Sequence, residues 1–189
     1  MRVPLDPFDR MYRDGADPWD FSGSDYEQAR YEHTMRSLGR ARYLRCFEPG
    51  CSIGVLTGLL AERCDRVVAC DASVGAIETA RTRLAGRSNV ELHAAAVPEW
   101  WPNGLFDLIV LSEFGYYWDV EGLGLLIDRL FDSLAPGGEL IAVHWLGEST
   151  DHLLHGTDVH QLLRARLGDS DLRHEETDKY LLERWSAVP

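Results

Sequence analysis

The run Glu48-Pro49-Gly50-Cys51-Ser52-Ile53-Gly54 joins an apolar stretch (43–48) that reads as a strand to a stretch (54–63) that reads as a helix, with Val55, Leu56, Leu59 and Leu60 on one face. In open α/β sheets such a turn lies at the carboxyl ends of the strands, where ligands bind. Gly50 and Gly54 let the backbone pass close to a ligand with no Cβ in the way. The next strand (66–71), built on Val67, Val68, Ala69 and Cys70, closes on Asp71. That acid stands about 20 residues past the turn, where a carboxylate reaches the two hydroxyls of a ribose. Alone, the turn is what any β-to-α connection looks like, and Asp71 alone also suits the N-cap of a helix starting near Ser73. Together they read as a nucleoside site.

Outward from the turn the alternation repeats. The segment 73–84 places Ile77, Ala80, Arg81 and Leu84 at helical spacing, and 89–93 and FDLIVLS (106–112) read as strands. Leu123, Leu126, Ile127, Leu130 and Leu134 mark an amphipathic helix, which Pro136-Gly137-Gly138 is expected to stop before a strand at 139–145. Thr157 is expected to cap a helix carrying Val159, Leu162, Leu163 and Leu167, and 171–188 reads as strands with a turn near 177–179. Upstream, 1–23 is rich in Asp, Pro, Gly and aromatics and reads as an extended arm; Ser24 then caps a helix to about residue 38. The expected fold is α/β and Rossmann-like, one domain over 1–189. It has a seven-stranded, mostly parallel sheet, helices on both faces and an antiparallel C-terminal hairpin.

Composition narrows the partners. Of 189 residues, 45% are hydrophobic and 26% charged, which excludes disordered and fibrous classes. The 31 acidic residues against 19 basic ones leave a charge of −12, a surface that repels phosphate backbones and suits a cationic or neutral small molecule. Nucleic acid is therefore not an expected partner. No apolar run approaches the ~18 residues of a membrane span, and residues 1–10 lack a hydrophobic signal core, so a cytoplasmic protein with no membrane partner is expected. Cys46, Cys51, Cys64 and Cys70 form no CxxC pair and read as buried free thiols. His152, His155 and His160 fit no zinc spacing, and no metal is expected.

Two cofactor classes share the turn's geometry. A dinucleotide fingerprint starting at Gly50 needs glycines at 52 and 55, where the chain has Ser52 and Val55. A pyrophosphate also wants bare amides and little negative charge, yet Glu48 stands at the entrance, well placed for an ammonium group. A ligand with a ribose, an amino-acid ammonium and no phosphate is S-adenosylmethionine.

With DPFDRMYRDGADPW (6–19), YEQARY (26–31), EPGCSIGVLT (48–57), FDLIVLSEFGYYW (106–118) and LAPGGELIAVHW (134–145), the sequence resembles class I S-adenosylmethionine-dependent methyltransferases, and within them the NodS-type small N-methyltransferases. The resemblance implies the class I methyltransferase fold and S-adenosyl-L-methionine as cofactor. It implies that Glu48, Gly50, Ser52 and Gly54 surround the methionine moiety, and that Asp71 holds the ribose with Ala72 and Ser73 beside the adenosine. Many members place an acid after the third strand for the adenine amine. This chain has Ala94, Ala95 and Ala96, which leaves the adenine to backbone amides at Ala96 and Val97 and to shape. The arm and helix at 1–38 are expected to act as a lid, with Trp19 over the cofactor and Arg30 paired to the methionine carboxylate. The plainer alternatives are that Trp19 pins the arm to the core and that Arg30 lies on a solvated helix face.

On the acceptor side, Ser112 ends the fourth strand and is expected beside the transferable methyl. Methyl transfer is an in-line displacement at a sulfonium, so the protein mainly aligns the acceptor and excludes water. An amine must also lose a proton, and Glu113 is the first choice to attract the ammonium or accept that proton. Tyr117 is read as hydrogen-bonding the acceptor or lining the methyl pocket, unless it only packs the next helix. His144 ends the fifth strand as a second base or a substrate contact, or else as a satisfied core histidine. Residues 146–158 are long enough to shape an acceptor pocket. The expected activity is methyl transfer to a small-molecule acceptor bearing an amine, an amino sugar or a specialised metabolite. An O-methyltransferase and a non-catalytic nucleoside-binding module are the rival readings. Gly58 inside the first helix after the turn, costly by ~1 kcal/mol relative to Ala, has no account at this level.

Overall fold

A computed structural model describes residues 1–15, 17–168 and 172–186. Among the described residues, six α-helices, α1 (Asp6–Asp14), α2 (Asp25–Ser37), α3 (Val55–Arg63), α4 (Val74–Arg83), α5 (Val120–Asp132) and α6 (Gly156–Leu167), accompany seven strands. The strands are β1 (Tyr43–Pro49), β2 (Cys64–Asp71), β3 (Val90–Ala94), β4 (Phe106–Ser112), β5 (Leu134–Trp145), β6 (Leu172–Glu176) and β7 (Tyr180–Ser186). They form one sheet in the order β3-β2-β1-β4-β5-β7-β6. The pairs β1–β2, β2–β3 and β4–β5 are parallel, whereas β5–β7 and β6–β7 are antiparallel. This is the expected seven-stranded sheet with its C-terminal hairpin. The ends of the expected closing segment, residue 171 and residues 187–188, lie outside the described residues.

The chain divides into two compact units, Pro4–Asn103 and Gly104–Pro189 with Met1–Val3. In the first, Val67, Val68, Ala69 and Cys70 of β2 are buried without alternation, as expected for a strand covered on both faces. Leu56 and Leu60 of α3 and Ile77 and Ala80 of α4 are buried with them. Ser73 caps α4 by accepting the Ala76 N–H. In the second unit Leu108, Ile109, Val110 and Leu111 of β4 have no exposed surface, and Leu123, Ile127 and Leu130 of α5 are buried to the same degree.

Three local expectations need correction. Residues 6–14 are helical, not extended. Pro7 sits in the first turn, where its missing N–H is no loss, Asp6 and Asp9 lie near the positive end and Arg13 near the negative one. Phe8 and Tyr12 then share a face one turn apart, and Tyr12 is buried. Pro136-Gly137-Gly138 does not precede β5 but lies within it. Between the pairs Phe106↔Leu134 and Leu108↔Glu139, β4 advances two residues and β5 five, so the extra residues bulge out. Finally, α6 is capped by His155, whose ring accepts the Thr157 N–H while Asp158 takes the His155 N–H, a capping box in which Thr157 is already helical.

Candidate functional site

The turn after β1 passes through the left-handed region at Gly50 (φ 73°), Ser52 (φ 49°) and Gly54 (φ 77°). Behind it, a Cβ on Gly54 would come 3.0 Å from Leu84 Cδ1 and 3.1 Å from the Ala80 Cβ, so α3 begins pressed against the α4 end. One turn further, a Cβ on Gly58 would lie 3.3 Å from Leu84 Cδ2. An alanine there would require the Leu84 side chain to give way by a few tenths of an ångström. Ser52 adopts a conformation that costs a side-chain-bearing residue roughly 1–2 kcal/mol. Its N–H donates to Asp71 Oδ2 at 2.9 Å, and its hydroxyl meets Tyr12 Oη at 2.5 Å.

The two carboxylates flanking the turn differ. Glu48 is buried and accepts from Thr57 Oγ1 at 2.6 Å through Oε2, and among the described residues no donor reaches its Oε1. Burial, with the negative Asp71 adding and the Thr57 bond opposing, pushes the Glu48 carboxyl up to about 8. Asp71 splits its oxygens between two backbone amides, Oδ2 on Ser52 and Oδ1 on Ser73 at 2.9 Å. Burial raises its carboxyl above the ordinary value, and the two N–H groups oppose that rise. Ser73, not Asp71, is the N-cap of α4, so Asp71 fastens the glycine turn to the head of the next helix. Each of its oxygens keeps lone-pair capacity for a further donor.

The arm lies on this turn. Tyr12 forms a small core with Ile53 and Ala76, onto which Trp19, Phe21 and Val55 pack. Trp19 stands edge-on to Tyr12 at 5.4 Å and stacks on Phe21 at 5.6 Å, with Phe8 at 6.3 Å. Trp19 therefore does pin the arm, through a tyrosine that sequence reasoning passed over. Arg30 is not on a solvated face. It is 1% exposed, paired with Glu27, its guanidinium 5.1 Å from the Tyr31 ring centroid. Beyond β3, Asp71 O accepts the Ala95 N–H, Ala96 O accepts the Trp100 N–H, and Val97 is buried. Among the described residues nothing accepts the Ala96 N–H. Ala72 is partly exposed beside Asp71.

In the second unit, Ser112 ends β4 opposite Val143 of β5. Glu113 follows at φ 53°, again left-handed, with its N–H on Val143 O at 2.8 Å. Its carboxylate accepts the Trp145 N–H at 2.8 Å and the Tyr116 hydroxyl. Tyr117, partly exposed on the 3-10 turn Gly115–Tyr117, meets the rings of Tyr116 and His152 edge-on at 5.0 and 5.3 Å. His144 has no exposed surface, and both ring nitrogens are engaged, by the Gly115 N–H and by His160. The geometry favours the satisfied core histidine among its two readings.

The three histidines of the 152–160 stretch part company. His152 stacks on Tyr116 at 3.7 Å, His155 caps α6 and reaches Leu146 O, and His160 is buried. Among the described residues no group of three His, Cys, Asp or Glu is gathered as a metal site. Thr57 and Tyr12 are the site residues that sequence reasoning missed. The Phe8–Tyr12 spacing was the available signal for one; Thr57, in the first turn of an apolar helix, offered none.

Comparison with known proteins places the chain. The family model described as Nodulation protein S (NodS) matches residues 9–180. Nodulation protein S of Rhizobium tropici is 32% identical over 127 residues, 66% of this chain and 53% of that protein. The Bradyrhizobium diazoefficiens protein of the same name is 31% identical over 163 residues, 84% of this chain and 78% of its own length. The crystal structure of N-methyltransferase NodS from Bradyrhizobium japonicum WM9 in complex with S-adenosyl-L-homocysteine superposes with a TM-score of 0.83 at 26% identity, covering 98% of both chains. The matched stretch spans about half the length of the Rhizobium tropici relative. The sheet described above is thus that of the class I methyltransferases, and the chain belongs to the NodS family.

Proposed function

We propose that this chain is an S-adenosyl-L-methionine-dependent methyltransferase that methylates an amine on a small molecule, an amino sugar or a specialised metabolite. The observation that carries the reading is Glu48, a buried carboxyl with one oxygen uncommitted beside a glycine turn. A buried carboxyl of this kind is stabilised by a cation, and an amino-acid ammonium supplies one. Asp71 retains acceptor capacity for a ribose diol, and the Ala96 N–H is open to an adenine ring nitrogen, so the residues present fit the cofactor. When bound, that cofactor supplies an activated methyl on sulfur. The solved relative bound to S-adenosyl-L-homocysteine supports the same choice. The four buried free thiols suit a reducing, cytoplasmic setting.

On this reading the arm is the lid, latched by the Tyr12–Ser52 hydrogen bond. One side-chain bond contributes about 0.5–1.5 kcal/mol, so Tyr12→Phe should raise the dissociation rate of S-adenosylhomocysteine about two- to tenfold in stopped-flow measurements. An unchanged rate would leave the arm with no part in retention. Glu113 takes the acceptor role, drawing an ammonium and receiving its proton, while Tyr117 lines the acceptor side and Ser112 precedes them. The −12 charge favours a cationic acceptor over a neutral hydroxyl.

The test is a panel of amines, D-glucosamine among them, incubated with protein and methyl donor and read by mass spectrometry. Gain of one methyl on an amine is the expected result. Methylation of hydroxyl compounds alone would make it an O-methyltransferase, and cofactor binding with no methylated product would leave only a nucleoside-binding module. Glu113→Gln keeps the acceptor for the Trp145 N–H and a partner for Tyr116 but removes the charge. It should slow methyl gain about a hundredfold, a typical loss for a positioned base, while affinity for S-adenosylhomocysteine stays unchanged.

A further inference from the structure

The second unit contains a row of buried polar side chains that methyl transfer, as read above, does not use. Its first bond runs from the Gly115 N–H to His144 Nε2 at 3.0 Å. His144 Nδ1 lies 3.1 Å from His160 Nε2, and His160 Nδ1 lies 2.8 Å from Glu183 Oε2. All three side chains have no exposed surface. The other oxygen, Glu183 Oε1, accepts from Arg164 Nε at 2.7 Å and lies 2.7 Å from His174 Nδ1.

Proton positions along this row follow from its ends. A backbone N–H only donates, so His144 Nε2 is bare and the ring's proton sits on Nδ1, pointing at His160. His160 Nε2 must then be bare and its proton on Nδ1, where the Glu183 carboxylate receives it. Burial holds His160 below the ordinary imidazole value in spite of Glu183, with Arg164 and His174 also disfavouring its charge, so the ring is neutral near pH 7. Burial alone would raise Glu183, but bonds from His160, Arg164 and His174 hold it at about 2.

The near end of the row is the turn that carries Glu113 and Tyr117. Three consecutive residues of β5 grip it: Val143 O takes the Glu113 N–H, His144 takes the Gly115 N–H, and the Trp145 N–H binds the Glu113 carboxylate. A Cβ on Gly115 would lie 2.5 Å from Val159 Cγ1 and 3.1 Å from His144 Nε2, so the turn sits tightly on α6.

We propose that Glu183, acting through His160 and His144, is a positioning residue that fixes the 113–117 turn by dictating which nitrogen of each ring carries the proton. The inference rests on that turn being the acceptor side. Glu183→Gln tests it with one atom changed. Arg164 only donates, so the new amide must turn its oxygen to Arg164 and its NH2 to His160 Nδ1. His160 then moves its proton to Nε2, His144 must do the same, and a ring N–H faces the Gly115 N–H.

Long-range proton–nitrogen NMR of the histidine rings reads this directly. The wild-type protein should show Nδ1–H on His144 and His160. The variant should show Nε2–H on both, with Gly115 amide exchange and loss of methyl gain on the amine panel each changed about tenfold, and with S-adenosylhomocysteine affinity unchanged. Nε2–H on either ring in the wild-type protein overturns the proposal, even if the variant fails to fold, as do unshifted tautomers in a folded variant. Shifted tautomers with normal methyl gain, while Glu113→Gln is slow, also overturn it and leave the acceptor reading standing. Normal methyl gain in both variants removes the acceptor reading and this inference with it.

Discussion

Asp71→Ala should weaken binding of S-adenosylhomocysteine by about two to four orders of magnitude while the chain stays folded. A hydrogen bond to a charged group contributes about 1.5–3 kcal/mol, and a ribose diol offers two. The variant also strips the Ser52 N–H of its acceptor, and that amide belongs to a residue held at φ 49°. The turn thus loses both its ligand contact and its fastening. The fold survives because Asp71 ends β2 without entering the apolar core, and Ser73 still caps α4. Titration calorimetry gives the affinity, and circular dichroism checks the fold. A variant binding within about threefold of wild type would mean that the ribose lies elsewhere.

Glu48→Gln should have two opposed effects. It weakens S-adenosylhomocysteine about tenfold or more, because a charge-assisted contact to the ammonium becomes a neutral one. It also stabilises the ligand-free protein at pH 8. The Glu48 carboxyl is lifted from its ordinary 4.5 to about 8, chiefly by burial. Between those values the folded chain holds a proton that the unfolded chain has released, so Glu48 costs stability progressively as pH rises through that window. The Gln variant lacks this loss, and its melting temperature relative to wild type should climb from pH 5 to pH 8. Cofactor binding at pH 7 should expel the Glu48 proton, so the heat of binding should depend on whether phosphate or Tris receives it. A variant whose melting profile and buffer dependence both match wild type would remove Glu48 from the cofactor site.

The parts of this protein that could be read from its sequence are those governed by short-range rules. FDLIVLS matches β4 at both ends, since the apolar run Leu108–Leu111 between Asp107 and Ser112 has few alternatives. The turn 48–54 and Asp71 were legible because glycine and a strand-ending acid have restricted uses. The arm misled because proline and aspartate signal loops in general, yet in a first helical turn they signal a start. Pro136-Gly137-Gly138 misled for a similar reason, as a bulge inside a paired strand uses the same residues as a turn. The buried row was out of reach for another cause. His160 stands 16 residues beyond His144, and Glu183 another 23 beyond that. No periodicity marks such a partnership, which exists only once β5, α6 and β7 are assembled.

The crowding behind Gly54 bears on any attempt to widen the proposed donor site. With Ala80 and Leu84 already at contact distance, the floor of the glycine turn has no slack to give. On the proposed reading, a donor that carries an allyl or propargyl group in place of methyl would have to find its space on the other side, where Trp19 and Phe21 of the arm are the side chains to trim. The arm, not the turn, is where new tolerance has to be carved.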